Sequence, residues 1–550
     1  MALLKFDFKP RWTDHHAAFQ FSDFEYNPPV KFVSSHVGLP LPNIQPLPNA
    51  TKGFSYDMSL PYVDFKALRA CYESGCADVC NKVLYTTRRS RITTDYLVDS
   101  VLNYGYRTPP RLTDHVYQRC LDELRREFKV DEKITPLSLR EAADQIPQNT
   151  SPGLPWINLY PSAKKGDIIT RHFKSIERDW TSVGNGNRRY PLPDCAAFGR
   201  SHIGAYEKNK VRAVWVVPLT VVAAEARFAL PIIGQLTDQT IGHHTAYGCE
   251  MMKGGMSWVH HQSLKAKYKD PGAKFLMTDY SSFDARVPAW LIRDCFSILR
   301  EKMNLTREDA NVWRRLVAYF INTPIQFADK RRLLTDHGVP SGSMWTNVID
   351  TMVNFVQTRY LVYTLTRREP IFDVYFGDDG LIALPHDAVI NLDDFSKVAK
   401  EKFGAIISPT KSYWTNRVSN IHFLGYFNNS GTPVKSLESL LASFLYPQHV
   451  QDDWAYTLSR AFGILFASAG NKTIFNLARK TYQMASHSEG KVEKAMHLVK
   501  EHPRMVRHFR QMGADIDAIS PDLFKDATLT IPLENCRKLE LGLDLVDGPS

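Results

Sequence analysis

Short apolar runs broken by tight turns occupy the middle of the chain, and apolar residues at helical spacing fill most of the rest. Val374-Tyr375-Phe376 and Leu381-Ile382-Ala383-Leu384 read as two short strands. Gly377-Asp378-Asp379-Gly380 lies between them and reads as a tight hairpin, because glycine supplies the backbone angles such turns need. The carboxylates of Asp378 and Asp379 are thereby set at the tip of a rigid ribbon, the support a metal site requires. Upstream, Phe275-Leu276-Met277 predicts a strand that delivers Asp279 at its end, with Asp284 in the turn beyond. Pro288 then opens a helix, its usual N-terminal place, and Ile292, Phe296, Leu299 and Met303 mark one face of it. In Gly338–Asn354, Ser341-Gly342-Ser343 is a small loop opening another helix. Along that helix Asn347, Asp350, Thr351 and Asn354 form one polar stripe, with Val348, Ile349, Met352, Val353 and Val356 on the other sides. A solvent face would usually carry Lys and Glu. This stripe is short, neutral or acidic, and suits a wall facing a ligand.

The flanking stretches are more varied. Residues 1 to 60 are dense in proline, which excludes regular helix and favours extended chain. Their aromatics predict an arm lying along the body of the protein. Residues 61–150 are mostly helical in pattern, with Arg88, Arg89 and Arg91 clustered in what reads as a solvated basic face. Thr150-Ser151-Pro152-Gly153-Leu154-Pro155-Trp156 is a turn-rich loop whose Ser151 and Gly153 suit close approach to a phosphate backbone. In Lys208-Asn209-Lys210-Val211-Arg212 the alternation puts Lys210 and Arg212 on one side of a strand. Cations on a rigid ribbon suit a triphosphate, with arginine offering a two-pronged grip. After the hairpin come an amphipathic helix marked by Phe395, Val398, Ala399 and Phe403, the loop Ser408-Pro409-Thr410-Lys411-Ser412, and a strand-like Ile421-His422-Phe423-Leu424-Gly425-Tyr426-Phe427. The remainder is helical in pattern to about residue 530.

Composition narrows the reading. The 550 residues are 44% hydrophobic and 23% charged, enough for a large core. The net charge of +10 favours a polyanionic partner. The 8 cysteines show no zinc-type spacing, and Cys76 and Cys80 share a helical face that predicts buried packing and a reducing compartment. The most membrane-like run, Val214–Gly234, contains Pro218, Glu225, Arg227 and Pro231 and reads as core, so no membrane partner is expected. The sequence contains no phosphate-loop, HExxH or GxSxG signature.

The stretches TSPGLPW, KNKVRAV, DYSSFD, SGSMWT followed by Asn354, FGDDG, SPTKS and FLGYF, in that order, resemble the RNA-dependent RNA polymerases of RNA viruses. The wording around DYSSFDARVPAWLI and GVPSGSMWTNVIDTMVN looks most like the polymerases of partitiviruses, which have double-stranded RNA genomes. The resemblance implies an α+β right hand. Its parts would be an arm over 1–60, fingers over 61–273, palm over 274–303 and 337–427 around a fingers insertion at 304–336, thumb over 428–530, and a tail at 531–550. It implies that Asp279, Asp378 and Asp379 hold two magnesium ions (manganese may substitute) and that Lys411 is the proton donor to pyrophosphate. It implies that Lys208, Lys210, Arg212, Asp284, Ser341, Gly342, Thr346, Asp350 and Asn354 bind the nucleotide. Ser151, Gly153, Phe423 and Gly425 would contact RNA. Where many positive-strand viral polymerases carry a ribose-reading asparagine this chain has Asp350, with Asn354 one turn on, so the resemblance leaves open which of the two contacts the sugar. Template and product RNA, ribonucleoside triphosphates and a capsid protein are the implied partners, and the virion interior and host cytoplasm the implied locations.

The chemistry asks for these residue types independently. Phosphoryl transfer needs positioning and charge stabilisation more than covalent help, and converging aspartates repel unless a cation joins them. A reverse transcriptase is disfavoured by Asp284, where a large apolar gate would be expected. A basic RNA-binding or capsid-associated structural protein is the non-enzyme alternative, with the aspartates as mere turn residues.

Overall fold

The structure is a computed structural model and describes residues 41–524, except 57–60, 131, 239–242, 450, 512–514 and 518. Most of the expected arm and all of the expected tail lie outside the described residues.

The hairpin around Asp378 forms as the sequence predicts. Phe372–Phe376 and Asp379–Leu384 pair antiparallel, with Gly377 and Asp378 as the turn between them. Gly377 sits at φ +60°, where a side chain would be strained. The sheet continues to Lys274–Met277 and then Tyr413–Thr415, all antiparallel. Its two faces follow the period of two. Phe275, Met277, Val374, Leu381 and Ala383 pack against Met256, Val259 and Ala266 of the helix Gly255–Lys269. Leu276, Ile382 and Leu384 belong to the main core, with Val348, Ile349, Met352 and Val353 of the helix Thr346–Thr366.

A second sheet lies in the order Ile44–Leu47, Arg332–Thr335, Pro324–Gln326, Cys195–Ser201, Val211–Val216. Ile44–Leu47 lies in the described part of the proline-rich arm, residues 41–56, and pairs with Arg332–Thr335. Pro46 is tolerated there because the strand is at the sheet edge. Leu219–Thr237 is long and apolar enough to cross a membrane by length and composition, yet most of it is buried in the protein. Its charges are spent internally: Arg227 donates to Leu137 O at 2.9 Å and to Asp309 at 2.7 Å.

Packing and strand pairing cross the expected domain boundaries in three places. The helices Phe65–Glu73 and Ala77–Thr86, expected in the fingers, share a core with the C-terminal helices between Leu437 and Gln511. Ala67, Ala70, Cys71, Cys80 and Val83 are buried there, so the cysteines are packing residues as expected. The helix Gly255–Lys269, also expected in the fingers, covers the central sheet. The boundary after residue 427 cuts the strand Tyr426–Asn429, which continues into Thr432–Val434. The basic cluster is also not a solvated face: Arg88 is buried, and Arg89 donates to the Tyr446 and Ser201 carbonyls. In each case the apolar face of a segment is visible in the sequence, but the partner that covers it is far along the chain.

Behind the hairpin lies a buried charge network. Arg359 donates to Asp373 at 2.7 and 2.9 Å and to Glu123 at 2.9 Å, and His244 Nδ1 lies 2.6 Å from Asp373. Tyr375 and Tyr363 add hydroxyl donors to Asp373 and Glu123. Burial alone would raise the Asp373 carboxyl, but the His244 and Arg359 hydrogen bonds overcome it and hold it below the usual range. Arg359→Met should therefore destabilise the protein by about 3–5 kcal/mol, the usual cost of stranding a buried charge. The check is the urea midpoint at neutral pH. The depressed Asp373 carboxyl sets the sign of the pH dependence. The stabilisation is present above the ordinary carboxylate pKa and is lost as the pH falls, so the difference between variant and wild type should shrink in acid.

Candidate active site

Register brings the predicted catalytic groups together. Leu381 pairs with Met277, and carrying that register on sets Asp379 across from Asp279. On the other side Tyr413 pairs with Met277, and the same extension sets Lys411 across from Asp279. The loop before Tyr413 is locked to the strand tip: Ser408 N–H donates to Asp279 O, and Asp279 N–H donates to Ser412 Oγ, each at 2.9 Å. Lys411 Nζ accordingly stands 3.7 Å from Asp279 Oδ1.

The carboxylates disturb one another. Burial, then the neighbouring Asp378 and Asp279, pushes Asp379 up to about 6. Burial likewise raises Asp378, with Asp279 adding to it while Arg212 and Lys210 oppose it. Asp284 is pushed up to about 6 by burial and Asp378. Asp350 is likewise held well above the usual carboxylate range, by burial and then Asp284 and Asp378. Among the described residues no three acidic, histidine or cysteine groups form a ready-made metal cage. The donor set is nonetheless all carboxylate oxygen, the hard chemistry a magnesium-type ion takes, with substrate phosphates and water completing its shell.

The cations arrive from the second sheet. Lys210 lies in the field of Arg212 and Lys411 and feels the opposite charges of Asp279 and Asp378. Arg212 acts on Asp378 and Asp284. Lys208 is exposed at the turn before them, where its N–H donates to Ala205 O.

Several expected contact residues instead hold the site together. Asn354 is fully buried, and its amide donates to Gly377 O at 3.0 Å and Asp379 O at 3.1 Å. Thr351 Oγ1 accepts the Gly377 N–H at 2.8 Å. Half of the polar stripe therefore fixes the hairpin backbone, and with both amide protons used Asn354 is a positioning residue. Asn347 and Asp350 are the members whose Oδ1 atoms are buried without a partner. Ser341 Oγ accepts the Trp215 N–H, and a Cβ at Gly342 would fall 1.8 Å from Trp215 O. This loop is fixed to the strand that carries Arg212, while Gly342 itself stays exposed. Thr346 Oγ1 donates to Pro340 O and Ser343 O. Gly153 is buried, at φ +68°, and a Cβ there would be 3.1 Å from Pro218 Cα. Ser151 accepts the Gly153 N–H. Phe423 is buried in the core of the central sheet, whereas Gly425 is exposed in the turn at φ +77°.

Glu225 is a supporting residue of the site that the sequence reading missed. Its carboxylate accepts Ser343 Oγ–H at 2.9 Å and Met344 N–H at 3.0 Å, at the start of the helix that carries the stripe. Burial pushes it up to about 7. The signal was present as the lone acid in an apolar run, which reads more readily as evidence against a membrane span than as a helix cap.

The profile of the viral RNA-dependent RNA polymerase family matches residues 82–452, more than half of the 550 residues. The chain belongs to this family. It is 30% identical over 288 residues to the RNA-directed RNA polymerase of Cryptosporidium parvum virus 1, covering 51% of this chain and 52% of that one. It is 27% identical over 340 residues to that of Atkinsonella hypoxylon virus, covering 52% and 49%. The chain thus spans about half the length of the curated relatives it matches. The solved RNA-dependent RNA polymerase of a human picobirnavirus shares the fold, with TM-score 0.62 and 14% identity over 84% of this chain and 90% of that one. Its insertion-loop deletion mutant gives TM-score 0.59 and 13% identity over 80% and 87%. The α+β right hand expected from the sequence is the fold of this family member.

The hairpin supports yield a test. Thr351→Val keeps shape but leaves the Gly377 N–H without an acceptor. It should cost about 1–3 kcal/mol in urea unfolding and weaken divalent-ion binding measured by calorimetry. Unchanged ion affinity would show that the hairpin tip does not depend on this bond.

Proposed function

We propose that the protein is an RNA-dependent RNA polymerase that copies a viral RNA template by two-metal nucleotidyl transfer and serves both transcription and replication of a double-stranded RNA genome. The observation that carries this reading is the register that flanks Asp279 with Asp379 and Lys411, with Lys210 and Arg212 in the same field.

Asp279, Asp378 and Asp379 would hold magnesium, or manganese in its place, which when bound activates the 3′-hydroxyl and neutralises charge on the leaving pyrophosphate. Lys210 and Arg212 grip the triphosphate, with Lys208 at the exposed approach. Lys411 gives its proton to the pyrophosphate leaving group. Asp284 and Asp350 face the ribose, the 2′-hydroxyl of which separates RNA from DNA substrates. Asp350 takes this role over Asn354 because the Asn354 amide is committed to the hairpin. Template and product RNA are bound with a contribution from the exposed turn at Gly425, in keeping with the chain's net charge of +10. A capsid protein as partner, and the virion interior and host cytoplasm as location, belong to the same proposal.

Three substitutions test it. Asp378→Ala should abolish synthesis on a single-stranded RNA while RNA binding persists, since phosphate contacts supply affinity. Elongation by the purified variant would remove Asp378 from the metal site. Lys411→Leu should slow single-turnover incorporation by at least about tenfold, the lower range of acid catalysis. An unchanged rate at saturating nucleotide would assign the proton to water. Asp284→Ala should cut the ratio of kcat/KM for ribo- over deoxynucleotides by about 10- to 100-fold, the worth of one hydrogen bond to a charged group. A constant ratio would place sugar selection elsewhere.

A further inference from the structure

A short ribbon beside the proposed triphosphate grip carries buried nitrogens that have no hydrogen-bond partner among the described residues. Thr87–Arg89 pairs antiparallel with Ile203–Ala205, setting Arg88 against Gly204 and Arg89 against Ile203. Ser90 N–H continues the ladder to His202 O. Alternate residues share a face, so Arg88, Ser90, His202 and Gly204 lie on one side, and Arg89 and Ile203 on the other. The second side is accounted for: Arg89 bonds Ser201 and Tyr446, and Ile203 packs against the C-terminal helical core.

The first side faces Lys210. A Cβ on Gly204 would lie 4.0 Å from Lys210 Cβ, and Lys210 N–H donates to Ser90 Oγ at 2.7 Å. On this face Arg88 is only 6% exposed, yet its Nε and Nη2 have no hydrogen-bond partner. His202 Nε2 is likewise buried without one. The Arg88 guanidinium lies 5.3 Å from the centre of the Tyr206 ring, which is 40% exposed and covers it like a flap. The surroundings are strongly positive. Burial and then Arg212, Lys210, Arg200 and Arg89 push His202 down to about 4, so it is neutral even among donors. Buried, unpaired guanidinium nitrogens are costly, and a rigid fork is suited to two-pronged contact with phosphate oxygens.

We propose that Arg88, with His202 and Lys210, forms a second polyphosphate site, reached when Tyr206 swings aside, next to the grip at Arg212. This rests on the polymerase reading for the identity of its ligand. A polyphosphate there has two sources: the triphosphate of a ribonucleotide approaching the site, or the pyrophosphate departing from it. Either would trade the Tyr206 ring for a charge-assisted pair with Arg88 and pass along Lys210, whose amine already feels Asp279 and Asp378.

The test uses the purified chain as wild type, Arg88→Gln, Arg88→Lys and Tyr206→Ala. Calorimetric titration with inorganic pyrophosphate, with no template present, reads the site without catalysis. Arg88→Gln should weaken binding of pyrophosphate by about tenfold or more, Arg88→Lys should fall between, and Tyr206→Ala should bind at least as tightly as wild type. Steady-state synthesis then separates the sources. A raised KM for nucleotide at constant kcat assigns the site to the arriving triphosphate. A raised inhibition constant for pyrophosphate at constant KM assigns it to the departing product. If Arg88→Lys retains the wild-type melting temperature and neither constant nor the titration changes in either Arg88 variant, the proposal is overturned. If pyrophosphate binding depends on Arg88 but wild type makes no RNA, the anion site stands and the polymerase reading fails.

Discussion

Carboxylates crowded at the tips of neighbouring strands repel one another, and the rest of the protein is arranged around tolerating that repulsion. The hairpin that bears Asp378 and Asp379 is not held by opposite charge at its tip. It is held by uncharged groups behind it, the Asn354 amide and the Thr351 hydroxyl, which grip its backbone. Charge compensation sits deeper, where Arg359 and His244 anchor Asp373 on the strand that leads to the turn. This division makes physical sense. A cation permanently paired at the tip would compete with the ion that the chemistry needs, whereas amide and hydroxyl donors fix geometry without neutralising the carboxylates.

The same economy joins the two sheets. The strand Val211–Val216 carries Arg212 outward, while its Trp215 backbone is clasped by Ser341 and closely approached by Gly342. Glu225 fixes the next two residues of that loop. The strand that carries Arg212 and the helix that steadies the aspartates are therefore one mechanical unit. On the proposed reading, a shift of the loop moves both ends of the nucleotide site together, which is how positioning over a short distance is kept accurate.

The sequence made the hairpin, the strand before Asp279 and the loop bearing Lys411 legible, because each is a local pattern: an apolar run, a turn residue, a carboxylate. It also made the polar stripe legible, but not what the stripe does. Facing a ligand and facing a backbone call for the same short hydrogen-bonding side chains, and only the register across the sheet distinguishes them. Gly153 and Phe423 show the same limit. A glycine that admits a phosphate and one that admits a neighbouring strand look identical in one dimension, and alternation in a short strand does not say which side is the core. Arg88 read as one of several surface cations because its burial depends on pairing with residues far along the chain. Glu225 was visible only as an exception within an apolar run.

The core shared by Phe65–Thr86 and the C-terminal helices has a consequence for how the chain is made. On the ribosome, the apolar faces around Ala70, Cys80 and Val83 emerge roughly 350 residues before the helices that cover them, starting at Leu437. At about 5–20 residues per second, that face waits on the order of 20–70 s without its partner. The nascent protein is thus committed to a late closing step, in which its earliest helices are captured by its last. Throughout that interval it presents a sticky surface for which a holding chaperone, or a second nascent chain, is the available cover.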